Sequence, residues 1–113
     1  MPYLKLSVNR DLSADEKHGL CEEIGKLMPL IPGKTRENTM MDIVTGAYIE
    51  MGDASPALNL EVRLFRAAPK ENKQNFVREI SALLEKATGV RPARMYINLI
   101  EHESWASGGG YRE

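Results

Sequence analysis

The residue with the most chemistry per atom stands second in the chain. Pro2 follows Met1 directly, and removal of Met1 leaves Pro2 with a secondary amine that carries a free lone pair. Such an amine serves as a general base near neutral pH when burial or a neighbouring cation lowers its pKa. With Met1 in place the same nitrogen is an amide and has no basic lone pair. The other reactive side chains are few. His18 and His102 have no Cys or carboxylate at a metal-ligand spacing, so no metal site is expected. The single Cys21 cannot form an intrachain disulfide and reads as a small buried helix residue in a reducing compartment.

The elements that position Pro2 follow from periodicity. Tyr3-Leu4-Lys5-Leu6-Ser7-Val8 alternates polar and apolar residues as a half-buried strand does. Ser13 and Glu16 have capping-box spacing, so a helix starts there. Leu20, Ile24, Leu27 and Ile31 form its apolar stripe, and Pro32-Gly33 is the expected stop. Thr39 to Ile49 is rich in β-branched and other apolar residues and predicts a strand, with a bend at Gly46. Asp53 to Pro56 is a turn, and Leu58 to Phe65 alternates again as a strand. Pro69 opens a second helix whose stripe is Phe76, Ile80, Leu83, Leu84 and Ala87, ended by Gly89 and Pro92. Met95 to Ile100 is a further strand, and Ser104 to Glu113 is a loop or a short edge segment.

The two halves repeat. An offset of 56 carries Leu6 to Val62, Ser13 to Pro69, Leu20 to Phe76, Gly33 to Gly89 and Asp42 to Asn98. A tandem β-α-β pair predicts an α+β sandwich: one domain over residues 1–113, with repeat units of about 2–51 and 58–103. Its four-stranded mixed sheet carries both helices on one face. Leu4, Leu6, Val8, Met41, Ile43, Leu60, Val62, Leu64, Ile97 and Leu99 belong under the helices. Tyr3, Lys5, Met40, Asp42, Arg63, Phe65, Tyr96 and Asn98 point the other way. That second face mixes charge with Tyr, Phe and Met, and such a mixture predicts contact with another subunit.

Charge and hydropathy narrow the function classes. With 15 basic and 16 acidic residues and no basic cluster, nucleic acid is not an expected partner. No apolar run approaches the roughly 20 residues that span a bilayer, and the first residues lack a signal-peptide pattern. A soluble, cytoplasmic protein is expected.

Three segments carry a resemblance. Met1-Pro2 opens a strand that ends at Asn9, Gly33-Lys34 follows the first helix, and Arg94-Met95-Tyr96-Ile97-Asn98 lies near the end. In this order and on this repeat the chain resembles, over essentially its whole length, the macrophage migration inhibitory factor family of the tautomerase superfamily, which includes D-dopachrome tautomerase. The resemblance implies a homotrimer with active sites between subunits, no cofactor, and keto-enol tautomerisation of an α-keto acid such as phenylpyruvate. Pro2 would be the catalytic base. Lys34 would hold the substrate carboxylate and keep the amine neutral. Tyr96 and Asn98 would come from the neighbouring subunit, Phe65 would line the pocket, and Tyr3, on the same face, joins the substrate-binding set. The chain departs from the family at Ala57 and Leu60, where a Cys pair stands in the human member, and at Asn38 and near Ser107, where pocket aromatics stand; Trp105 is a nearby aromatic. Each site residue also has a plain structural role open to it: Lys34 as a helix-end cation, Phe65, Tyr96 and Asn98 as packing. A non-catalytic trimer for binding or signalling, cytokine-like, is the alternative function.

Overall fold

Residues that alternate in the sequence alternate in burial. A computed structural model describes all residues 1–113. Strand β1 (Pro2–Val8) buries every even-numbered side chain, and β3 (Leu58–Phe65) does the same, with Phe65 buried as well. Helix α1 (Ala14–Leu27) begins at Ser13, whose hydroxyl accepts from the Glu16 N–H while the Glu16 carboxylate accepts from the Ser13 N–H. Helix α2 (Lys70–Thr88) follows Pro69 and ends at Gly89, whose φ of 76° is the left-handed conformation a helix stop favours. Strands β2 (Met40–Val44) and β4 (Met95–His102) complete the two β-α-β units.

The sheet order is β2-β1-β3-β4. Within each unit the strands are parallel, β1 with β2 and β3 with β4, while the units join through the antiparallel β1–β3 pair. This is the expected α+β architecture with a mixed four-stranded sheet. Leu4, Leu6, Val8, Leu60, Val62 and Leu64 meet Leu20, Ile24, Phe76, Ile80 and Leu84 in one core. Each such side chain removed from water contributes about 1.5–3 kcal/mol.

Three boundaries differ from the sequence reading. Helix α1 stops at Leu27, because Pro29 has no N–H to continue the ladder; the chain tightens into a 3₁₀ turn over Met28–Leu30. Ile31 is therefore off the helix, yet fully buried. The second strand ends at Val44 rather than Ile49. Gly46, at φ 65°, turns the chain off the ladder, although the Gly46 and Ala47 N–H groups still donate to the Arg10 and Val8 carbonyls. The tail forms a small hairpin, β5 (Trp105–Ser107) with β6 (Gly110–Arg112). Gly108 and Gly109 have φ of 56° and 80°, as a two-residue turn of type I′ requires.

The loop from residue 45 to 57 has almost no regular structure, yet most carbonyls in its second half have donors. The Asn9 amide donates to Ser55 and Ala54 and accepts from the Ala57 N–H at 2.8 Å. The Arg94 guanidinium donates to the carbonyls of Met51, Asp53, Ser55 and Pro56 at 2.8–3.1 Å. Both residues stand where Val8, Leu58 and Met95 end the sheet. Pro2, Leu64 and Glu101 lie in register toward the opposite end.

Candidate active site

The leading end of the chain opens into a cleft. Pro2 is seated in the sheet opposite Leu64, at a strand's first position, where the missing N–H leaves no gap in the ladder. Around it Met1, Tyr3, Asn38, Met40, Arg63, Trp105, Ala106 and Ser107 line a cleft of about 530 Å³. The terminal hairpin supplies one wall, and its Ser107 hydroxyl donates to the Met1 Sδ at 3.0 Å.

Charge in this cleft is one-sided. Lys34 extends from the loop after α1 to the end of β3, where its Nζ lies 3.4 Å from the Phe65 carbonyl and within hydrogen-bonding reach of the terminal amine. Burial of the amine, then the hydrogen bond and charge of Lys34, then the charge of Arg112, lower the Met1 amine from 8.0 to about 6. An amine so placed is neutral at pH 7, where an ordinary terminal amine is mostly protonated.

Tyr3 faces the cleft, but its hydroxyl donates to the Asp42 carboxylate at 2.8 Å, and that bond raises its pKa. Paired in this way the phenol stays protonated and its proton is committed to Asp42. Phe65 is buried beside Lys34 in an adjoining hollow with Ile31, Pro32 and Pro69, and the Arg66 guanidinium covers its ring at 4.9 Å. Lys34, Phe65, Tyr3 and Pro2 thus gather at one end of the protomer.

Tyr96 and Asn98 do not join them. In the ladder Tyr96 lies opposite Asn59, whereas Glu101 marks the level of Pro2. Five residues of strand put Tyr96 about 17 Å from that level along the strand direction. Tyr96 is 62% exposed, and the Asn98 amide donates to Asn59 at 2.8 Å on the helix-free face. Within one protomer neither reaches the cleft.

Arg63 is the cleft residue that motif reasoning assigned no role. Its guanidinium lies 3.3 Å from His102 Nε2 and 3.6 Å from a Glu61 oxygen, and the His102 ring stands edge-on to Trp105 at 5.7 Å. The available signal was its strand phase, which puts it on the same face as Tyr3, its partner across the ladder. No group of three or more His, Cys, Asp or Glu side chains gathers at a spacing that holds a metal. No helix is long and apolar enough to cross a membrane.

No family model matches the chain, and no curated protein matches its sequence. Solved structures do. The chain is similar to Leishmania major MIF2 at 19% identity and TM-score 0.91, covering 99% of this chain and 97% of that one. A macrophage migration inhibitory factor homologue from Prochlorococcus marinus is similar at 21% identity and TM-score 0.83, with 96% and 97% covered. Pt0534, solved after inactivation by 2-oxo-3-pentynoate, is similar at 19% identity and TM-score 0.81, with 95% and 93% covered. The chain has the macrophage migration inhibitory factor fold.

Proposed function

We propose that on this fold the chain is a cofactor-free keto-enol tautomerase for α-keto acids such as phenylpyruvate, with the Pro2 nitrogen as general base once Met1 is removed. The observation that carries this reading is the leading end itself: an amine held down to about 6 in a cleft, beside Lys34. That amine is Met1's, and Pro2 is the next residue in the same cleft. In the reaction the neutral amine takes the proton from the carbon next to the carbonyl, and the C–H electron pair becomes the enolate double bond. Lys34 binds the carboxylate and offsets the growing negative charge. The ammonium so formed then gives its proton to the enolate oxygen, and the amine is free again.

The assembly belongs to the same proposal. Tyr96 and Asn98 line the cleft only if a second protomer presents them, and three copies packed through their helix-free faces would give each cleft a neighbour's Tyr96. The exposure of Met40 and Tyr96 on that face supports this. Inactivation of Pt0534 by 2-oxo-3-pentynoate supports a 2-oxo acid as the substrate class.

One observation favours the non-catalytic reading. The Met1 side chain is gripped by Ser107 and lies 3.7 Å from an Arg112 nitrogen, so a chain that keeps Met1 fills its own cleft. Following loss of the enol of phenylpyruvate separates the two. The Pro2-terminal protein is expected to catalyse it and Pro2→Ala to lose most of the rate. A rate no faster than the uncatalysed one would end the tautomerase reading, equal rates in the two proteins would end the role of Pro2, and intact-mass measurement of the cellular protein tells which terminus exists.

A further inference from the structure

Three cations surround the leading end, and the protein neutralises little of their charge. Lys34 arrives from the helix side, between Pro32 and Phe65. Arg63 arrives from the helix-free face, opposite Tyr3 in the ladder. Arg112 arrives from the hairpin. Neither Lys34 nor Arg112 has a carboxylate within 4.0 Å, since the nearby Glu101 is taken by Lys73 and the Ala68 N–H. Arg63 has only Glu61, at 3.6 Å and with both side chains a third or more exposed.

The Arg63 guanidinium is also held in place. His102 Nε2 faces it at 3.3 Å, and a nitrogen that faces a guanidinium accepts from it. The Trp105 ring holds the His102 ring edge-on. The accepting ring nitrogen orients Arg63 without adding a carboxylate beside it. Planar guanidinium presents two parallel N–H groups, a fit for a carboxylate.

A monocarboxylate on Lys34 leaves Arg63 with no anion but the part-exposed Glu61 at 3.6 Å. Lys34 lies in the hollow on the helix side of the leading end and Arg63 in the cleft on its helix-free side, so a ligand reaching round that end to both would carry an anion at each end and its reacting carbon in the middle. We propose that the cleft selects short 2-oxo dicarboxylates, of which oxaloacetate is the smallest that enolises, with Arg63 the residue that reads the second carboxylate. This rests on the tautomerase reading. The chemistry is unchanged: the amine removes a proton from the carbon between the carbonyl and the distal carboxylate, and returns it to oxygen.

The experiment compares kcat/KM for ketonisation of enol-oxaloacetate and of the enol of phenylpyruvate, in the Pro2-terminal protein and in Arg63→Ala and Arg63→Lys. The unmodified protein is expected to favour the dicarboxylate. Arg63→Ala is expected to lower kcat/KM for the dicarboxylate about 10- to 100-fold more than for the aromatic acid, mostly through KM. Arg63→Lys restores part of the loss. Preference of the unmodified protein for the aromatic acid, or an equal loss on both substrates, overturns the proposal. Pro2→Ala, which replaces the ring-held secondary amine by a more mobile primary one, tests the underlying reading separately, because a weakened base slows both substrates alike. Calorimetric binding of malate and of phenyllactate, which cannot tautomerise, gives a readout independent of turnover. Tighter malate binding that Arg63→Ala abolishes supports the selection, and tighter phenyllactate binding refutes it. Melting curves of each variant identify any that is unfolded.

Discussion

Truncating Lys34 to alanine should return part of the lost basicity to the terminal amine. Burial is the largest cause of that amine's fall from 8.0 to about 6, and it survives the substitution; the hydrogen bond and charge of Lys34 do not. A unit charge about 4 Å away is worth ~1 kcal/mol in water and ~4 kcal/mol at the surface of a protein. In an open cleft the lower part of that range applies, about 1.4 kcal/mol or one pKa unit. The amine should then titrate near 7. At pH 6 its neutral fraction falls from about a half to about a tenth, whereas at pH 8 it stays above about nine-tenths in both proteins. Any step that needs the neutral amine therefore loses about fivefold more at pH 6 than at pH 8. NMR titration of the ¹³C-labelled first residue reads the pKa directly, on the chain that bears Met1 and on the Pro2-terminal chain. A midpoint that moves by less than ~0.3 unit, or a rate defect equal at both pH values, would refute the electrostatic role assigned to Lys34.

Other outcomes follow from packing and pairing. Phe76→Ala removes a fully buried ring from between the helices and the sheet, and urea unfolding should show a loss of ~3–5 kcal/mol. Ser13→Ala breaks the reciprocal cap of α1 and should cost ~1 kcal/mol in the same assay. Glu101 accepts from the Ala68 N–H and from Lys73, which holds its pKa below the ordinary carboxylate value. A depressed carboxylate stabilises the fold above its unfolded pKa and loses that contribution as pH falls through the folded one. The stability gap between the unmodified protein and Glu101→Gln should accordingly be widest at neutral pH and close in acid, as unfolding curves from pH 7 to 3 would report.

The sheet and its faces were legible in the sequence because strand period and helix period leave different apolar spacings. The 56-residue offset held in detail: Gly33 and Gly89 have φ of 77° and 76°, and Ser13 and Pro69 both stand just before a helix. Endings were harder to read. Ile31 fits a helical stripe by spacing, but the backbone of Pro29 ends the helix first. Ala47 to Ile49 look like strand, yet Gly46 turns the chain away from β1 before them. At the candidate site, Pro2 and Lys34 could be singled out from type and motif; Pro2 lies in the cleft and Lys34 in the adjoining hollow, beside the Met1 amine. Arg63 could not, because its neighbours His102 and Trp105 come from the far end of the chain. Spacing along one strand carries no information about such a meeting.

The crossover loop between the two repeats has a mechanical consequence. Asn9 belongs to the first repeat and Arg94 to the second, yet both grip the same stretch of backbone around Ser55. The joint that links the halves is thus riveted from each side, and neither half can slide along the other without tearing several carbonyls from their donors. Rigidity at this end steadies the β1–β3 seam along its length, so the far end, where the chain begins, inherits a fixed address in addition to its own contacts with the terminal hairpin.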